Sequence, residues 1–246
     1  MPIALMKRTS LPGIWTSTSG RSAHPFRDIR NVRLAPKETL LHRRWSGYPS
    51  TERDCGIMRS LSSPKPFSDA AVAAFPYECR AMAERAAREL ATFVDDGYRK
   101  TSTRMEVLGK PIYVPRRFHF LNTVERADIN DGAFPAAQCL LTRSTDGHLR
   151  QRALNAIINL RESWIAPFVV PLIGEYVVEI VEDIQASLSS LDQGIYSNFV
   201  RENRDIMRTV RSRAVSYWDA YYRDRFPDRA AYPGLVALRQ LEEWAS

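Results

Sequence analysis

The longest stretch of apolar residues at helical spacing lies in the middle of the chain, over residues 133–191. Residues that recur at intervals of three, four and one fall on one face of a helix with 3.6 residues per turn. Asp146 precedes the second group and is placed to cap a helix by accepting backbone N–H bonds. Pro171 interrupts the third group, because its ring clashes with a carbonyl of the preceding turn. The four groups are Phe134, Ala137, Leu140 and Leu141; Leu149, Ala153, Ala156, Ile157 and Leu160; Ile165, Phe168, Val169, Leu172 and Ile173; and Val177, Val178, Ile180, Val181, Ile184 and Leu188.

The second of these predicted helices begins with the motif Asp-x-x-Val/Leu-Arg-x-x-Ala, carried by Asp146, Leu149, Arg150 and Ala153. Together with Pro135 and Pro167 near the starts of two other helices, this motif resembles about two units of a HEAT-like helical repeat. The resemblance implies stacked helix pairs and a binding surface, and it implies no chemistry. Residues 175–180 lack the Asp and Arg pair of the repeat, so an irregular helical bundle is the alternative arrangement.

Helical periodicity, together with length and composition, predicts one all-α domain over residues 68–246, either a bundle or a short HEAT-like α-solenoid, with an extended N-terminal arm over residues 1–67. The chain has 246 residues, of which 44% are hydrophobic and 26% charged, as in an ordinary globular protein. We expect no transmembrane segment, because no stretch reaches the roughly 18 uninterrupted apolar residues of a spanning helix. The most apolar stretch, residues 164–181, contains two prolines and two glutamates and is predicted to lie inside the protein.

The positive charge of the chain is concentrated in the arm. Residues 1–67 contain 12 Lys and Arg and 4 Asp and Glu, whereas residues 68–246 contain 23 basic and 24 acidic residues. Serine, threonine, proline, glycine and arginine dominate the arm, and its apolar residues have no sustained period. Arg/Ser-rich, acid-poor composition is typical of a mitochondrial transit peptide, so a mitochondrial location is our prediction and the bacterial cytoplasm the alternative. In a retained arm, Trp15 and Trp45 would anchor an extended chain that wraps neighbouring proteins.

A long helix is predicted over residues 195–226, with an arginine stripe on one face. Arg201, Arg204, Arg208 and Arg211 are spaced by three, four and three residues. Such a stripe can bind phosphates or an acidic partner, although it is more often a solvated face or one paired with neighbouring acids. Trp218 and Tyr222 near the end of the helix are residue types enriched at interfaces. We therefore take these six residues as the preferred partner-binding set.

Residues 104–121 are predicted to be extended. Arg116, Arg117 and Phe118 begin a segment in which Phe118 and Phe120 point to one side and Arg117 and His119 to the other. One interpretation is a basic and aromatic strip that contacts RNA or phosphates. The interpretation we favour is a short segment packed across the helical body, with its arginines paired to acids.

No catalytic or metal-binding motif accompanies these features. GxSxG, P-loop, GxGxxG and HExxH motifs are absent, the three cysteines form no CxxC pair and the four histidines are scattered. We therefore predict a protein without catalytic residues, metal or cofactor. Our first hypothesis is a structural subunit of a large multiprotein assembly, such as a mitochondrial membrane or energy-converting complex, whose partners are other protein subunits. The alternatives are an RNA- or ribosome-associated protein that uses the arm and the arginine stripe, and an enzyme of unknown activity.

Overall fold

The computed structural model describes residues 67–94 and 101–246, without the side chains of residues 125 and 126. The predicted arm, with Trp15 and Trp45, lies outside the described residues except for Phe67. Within the described ranges the chain forms nine α-helices: α1 (Phe67–Val72), α2 (Arg80–Leu90), α3 (Phe134–Leu141), α4 (Gly147–Ile157), α5 (Ala166–Val169), α6 (Val178–Ser187), α7 (Gln193–Glu202), α8 (Arg204–Tyr217) and α9 (Pro233–Trp244). Two antiparallel strands, β1 (Ser102–Val107) and β2 (Lys110–Pro115), form a hairpin. The predicted all-α fold class is confirmed, with this hairpin as a small addition.

Short turns of other helical types join these elements. The 3₁₀ turns are Tyr77–Cys79, Ala91–Phe93, Asn122–Arg126, Ser163–Ile165, Val170–Gly174, Leu188–Ser190 and Arg229–Ala231. A π-helical turn, Trp218–Tyr222, follows α8 directly.

The centre of the core is residues 164–175, where all twelve consecutive residues are buried. A segment that is apolar on every side has to be enclosed on every side, and α5, the turn Val170–Gly174 and their neighbours achieve this enclosure. As predicted, α5 ends before Pro171, which lies in the first turn of the following 3₁₀ segment. The prediction that residues 164–181 lie inside the protein is confirmed for residues 164–175, whereas Tyr176 and Glu179 are exposed.

Helices α3 and α4 pack against each other as a hairpin. The predicted cap of α4 is present, since Asp146 Oδ1 accepts hydrogen bonds from the backbone N–H groups of His148 (2.8 Å) and Leu149 (3.3 Å). This cap satisfies two donors that a helix N-terminus otherwise leaves unpaired. The resemblance to a HEAT-like repeat stays a prediction.

The prediction of a single helix over residues 195–226 is wrong, because α7 and α8 are separated at Asn203 (φ −122°, ψ 45°). The buried Asn203 side chain pairs with the backbone of β1: its Oδ1 accepts from the N–H of Glu106 at 2.8 Å, and its Nδ2 donates to the Glu106 carbonyl at 2.9 Å. Asn203 Nδ2 also donates to the carbonyl of Phe199, at 2.9 Å. A contact distant in sequence thus overrides the local helical periodicity.

The tip of the β-hairpin is attached to the same junction. Leu108 (φ 52°) and Gly109 (φ 72°) adopt the left-handed conformation that two-residue hairpin turns require. Their backbone N–H groups donate to the Glu202 carboxylate at 3.0 and 2.9 Å. The helix break and the hairpin therefore stabilise each other.

Helix α8 lies unusually close to the buried central segment at Gly174. A Cβ added to Gly174 would lie 3.1 Å from the carbonyl oxygen of Val210 and 3.3 Å from Cβ of Arg213. These contacts are tighter than an added Cβ ordinarily makes, so a side chain at Gly174 would push the core segment and α8 apart.

We expect Gly174→Ala to lower the free energy of unfolding by about 1–3 kcal/mol, because the added methyl group overpacks a contact made largely by backbone atoms. Urea denaturation of both proteins measures this difference. Gly147→Ala is the matched control: its added Cβ would meet the nearest side chain at 3.4 Å, and the change should stay within about 1 kcal/mol of the parent. Equal stability of the two variants would contradict the close approach.

Candidate functional site

The four arginines of the predicted stripe line one open groove of about 310 Å³, which we call the arginine groove. Arg201 comes from α7 and the other three come from α8. All four line the same groove although the helix is broken at Asn203. The remaining lining residues are Val200, Met207, Glu242, Ala245 and Ser246.

The groove combines a basic rim with an apolar floor. Val200 and Met207 are buried beneath it. Among the described lining residues, four arginines face one glutamate, which gives a formal charge of +3. This is the chemistry that binds a carboxylate-bearing chain with an apolar side chain, since guanidinium groups pair with carboxylates in two-pronged hydrogen bonds.

The arginines of the groove differ in how far they are already paired. Arg211 pairs with Glu242 of α9, with Nε 3.3 Å from Oε1, and Arg208 pairs with the exposed Asp205 one turn earlier. Arg201 donates to the neutral Asn198 Oδ1 at 2.5 Å. Arg204 is exposed and has no hydrogen-bond or ion-pair partner in the described part of the chain. The end of the groove near Arg201 and Arg204 therefore retains uncompensated positive charge.

The aromatic residues predicted for the same face have internal contacts instead. Trp218 Nε1 donates to the carbonyl of Phe226 at 2.9 Å, and the Tyr222 hydroxyl donates to the carbonyl of Tyr176. Tyr222 also stacks on Tyr232, with ring centroids 5.8 Å apart. Both residues are only partly buried, but the contacts that they make hold the C-terminal part of the chain to the body.

The structure corrects the prediction that Phe118 contacts a partner. Its side chain is 0% exposed and packs edge-to-face against Phe67 (4.7 Å between ring centroids) and Phe120 (5.7 Å). A buried ring cannot stack on a nucleic-acid base, so Phe118 is not available to the predicted RNA-binding segment. Arg116 is exposed, and Arg117 is half-buried because it pairs with an acid, as the favoured interpretation expected.

The acid that pairs with Arg117 is Glu175, at the end of the buried central segment, and it was missed as a site residue. Its side chain is 2% exposed. Arg150 Nη2 lies 3.6 Å from Oε2, and Arg213 Nη2 lies 3.7 Å from Oε1. The segment after β2, helix α4 and helix α8 thus each supply one arginine to a single carboxylate.

Electrostatics keeps this carboxylate charged. Burial by itself raises the pKa of the Glu175 carboxyl, but the positive charges of Arg117 and Arg150 outweigh burial and hold the pKa below its ordinary value. Arg150 is held in turn by donating from Nη1 to the carbonyls of Ser144 (2.9 Å) and Thr145 (3.0 Å) in the turn between α3 and α4.

A glutamate inside an apolar segment predicts an ion pair from the sequence alone, because a buried carboxylate needs a cation beside it. The sequence contains 35 lysines and arginines, and nothing in their spacing selects the three that contact Glu175. Arg150 was singled out only for its place in the HEAT-like motif.

Among the described residues, no group of three or more His, Cys, Asp and Glu side chains is arranged to hold a metal ion. None of the helices in the described ranges is both long and apolar enough to span a membrane. In comparisons with known proteins, the chain matches no protein-family model, no curated protein and no solved structure.

We expect Glu175→Gln to lower the free energy of unfolding at pH 7 by about 3–5 kcal/mol, because it leaves buried guanidinium groups without a counter-charge. Since the folded-state pKa of Glu175 lies below the unfolded value of about 4.3, the charged group contributes fully above that pH. Its contribution is lost as the pH falls through the folded-state pKa. Urea denaturation at a series of pH values should therefore show the gap between parent and variant narrowing in acid.

The control for this experiment is Glu84→Gln. Glu84 pairs with Arg80 one helical turn away, and the two side chains are 41% and 59% exposed. Its loss should cost less than about 1 kcal/mol. A Glu175→Gln variant as stable as this control would contradict a central role for the buried carboxylate.

Proposed function

We propose that the protein is a non-catalytic interaction subunit of a multiprotein assembly, and that its arginine groove binds an acidic segment of a neighbouring subunit. The observation that carries this proposal is the convergence of Arg201, Arg204, Arg208 and Arg211 on one groove with an apolar floor. Charge-assisted hydrogen bonds to guanidinium groups supply specificity, and the floor supplies apolar contact.

The charge distribution supports binding at this place over general attraction. Residues 68–246 contain 23 basic and 24 acidic residues, so the folded body has almost no net charge. A local formal charge of +3 in the groove therefore creates a directed field on a nearly neutral surface, and such complementary patches fix partner and orientation.

The arm supports two further parts of the proposal. Its Arg/Ser-rich, acid-poor composition favours a mitochondrial location for the assembly. In a retained arm, Trp15 and Trp45 would give it a second attachment to neighbouring proteins. The groove and the arm would then contact different parts of the assembly.

We expect the combined change Arg201→Glu, Arg204→Glu and Arg208→Glu to weaken incorporation into the assembly by about tenfold or more, because like charges placed against an acidic partner cost several kcal/mol. The measurement is the native particle size of the tagged protein in extract, with quantification of the assembled fraction. All three side chains are exposed, so circular dichroism should show an unchanged fold.

The matched control reverses three exposed arginines outside the groove, Arg88, Arg161 and Arg229, and should leave the assembled fraction unchanged. Equal loss in both variants, or no loss in either, would contradict binding through the groove. A particle that collapses on nuclease treatment and has a steep salt dependence would favour the RNA alternative. Elution of the parent as a free 28.1 kDa monomer would contradict both.

A further inference from the structure

A second basic pocket lies on the other side of α8, next to Glu175, and we call it the Arg143 pocket. It has a volume of about 150 Å³, several times the space that one ordered water molecule needs. Its lining residues are Thr103, Met105, Val114, Pro115, Arg116, Arg117, Arg143, Pro171, Glu175 and Arg213.

Arg143 is the unusual member of this lining. It is 3% exposed, and its Nε donates to the carbonyl of Thr142 at 3.1 Å. Its Nη2 is buried without a hydrogen-bond partner in the described part of the chain, and no carboxylate there forms an ion pair with it. A buried guanidinium group without a counter-charge is strongly unfavourable, so this side chain indicates that something anionic belongs beside it.

The neighbouring charges do not compensate Arg143. Burial, and after it the positive charge of Arg117, lower the pKa of Arg143 from its ordinary value to about 9, while Glu175 acts in the opposite sense. Glu175 is itself shared among Arg117, Arg150 and Arg213. One carboxylate therefore serves more guanidinium groups than it can neutralise.

The pocket is matched to a small anion with more than one negative charge. Four arginines and one glutamate line it, so its formal charge is +3 among the described residues. A single carboxylate would leave most of that charge uncompensated, whereas a phosphate group carries close to two negative charges at neutral pH. Phosphate also presents several acceptor oxygens to guanidinium donors that arrive from different directions.

The geometry points to the Arg143 pocket as a binding site for a phosphate group, either as the free ion or as the end group of a small phosphate monoester, with Arg143, Arg117 and Arg213 as its donors. The exposed Arg116 lies at the mouth of the pocket, through which the organic substituent of a bound monoester would extend into solvent. This site is separate from the arginine groove and does not depend on the function proposed for that groove.

The test is isothermal titration calorimetry of the full-length protein with inorganic phosphate, at low ionic strength and about pH 8, where phosphate is mostly dianionic. We expect saturable binding of one phosphate per chain. We expect Arg213→Gln to weaken it by about tenfold or more, because a hydrogen bond to a charged group is lost. Arg213 is used because its side chain is 36% exposed, so the variant should fold, whereas a change at the buried Arg143 would disturb the packing around it.

The matched control is Arg161→Gln, since Arg161 is exposed and lines neither the Arg143 pocket nor the arginine groove. It should change the affinity for phosphate by less than about twofold, as expected for an exposed and screened charge. Titration with methyl phosphate distinguishes the two possible ligands. An affinity for methyl phosphate equal to that for inorganic phosphate identifies the end group of a monoester. Binding of inorganic phosphate without binding of methyl phosphate identifies the free ion.

Two results would overturn the inference. One is the absence of saturable binding to the parent protein up to about 10 mM of either probe. The other is equal weakening by Arg213→Gln and Arg161→Gln, which would indicate general attraction of anions to a basic surface. If the groove variants lose assembly but bind phosphate as the parent does, the two sites act independently of each other.

Discussion

The ion network around Glu175 is the interaction on which the arrangement of the described elements depends. The buried carboxylate stands at the end of the core segment 164–175 and is approached by Arg117, Arg150 and Arg213. These arginines come from the segment after β2, from α4 and from α8, which are far apart in sequence. Apolar burial alone is non-directional, whereas a charge that must be paired selects one mutual orientation of its neighbours. The network therefore specifies how the elements pack around a core that burial makes stable.

Helix α8 connects this network to both basic sites. Its buried residues Val210 and Ala214 face the core, and Gly174 lets its backbone approach the central segment closely. Arg208 then projects to the arginine groove and Arg213 to the Arg143 pocket. Because residues five apart on a helix differ by roughly 140° in direction, one helix presents arginines to two different sites. A shift of α8 would move arginine side chains in both sites, so the distance of α8 from the core determines the geometry of each.

The sequence predicted what depends on local periodicity and capping, and missed what depends on tertiary contacts. The all-α class, the burial of residues 164–175, the break at Pro171 and the Asp146 cap follow from rules that act within a few residues. The break at Asn203 does not, because it exists only where β1 offers the Glu106 backbone to an amide side chain. Spacing along the chain placed the four arginines of the stripe on one face. Spacing along the chain does not predict that Arg143, Arg117 and Arg213 lie close together, because only the fold brings them to one place.

The two basic sites also differ in how strongly an unpaired arginine indicates a ligand. Arg204 in the groove is exposed, and water solvates its charge at little cost, so the signal there is the gathering of four arginines over an apolar floor. Arg143 is buried, its Nη2 has no hydrogen-bond partner in the described part of the chain, and burial makes the charged form unfavourable. A single buried guanidinium group without a counter-charge therefore constrains function more than several exposed ones. The basic and acidic residues of the folded body are nearly equal in number. A negatively charged ligand is therefore expected where positive charge locally exceeds negative charge.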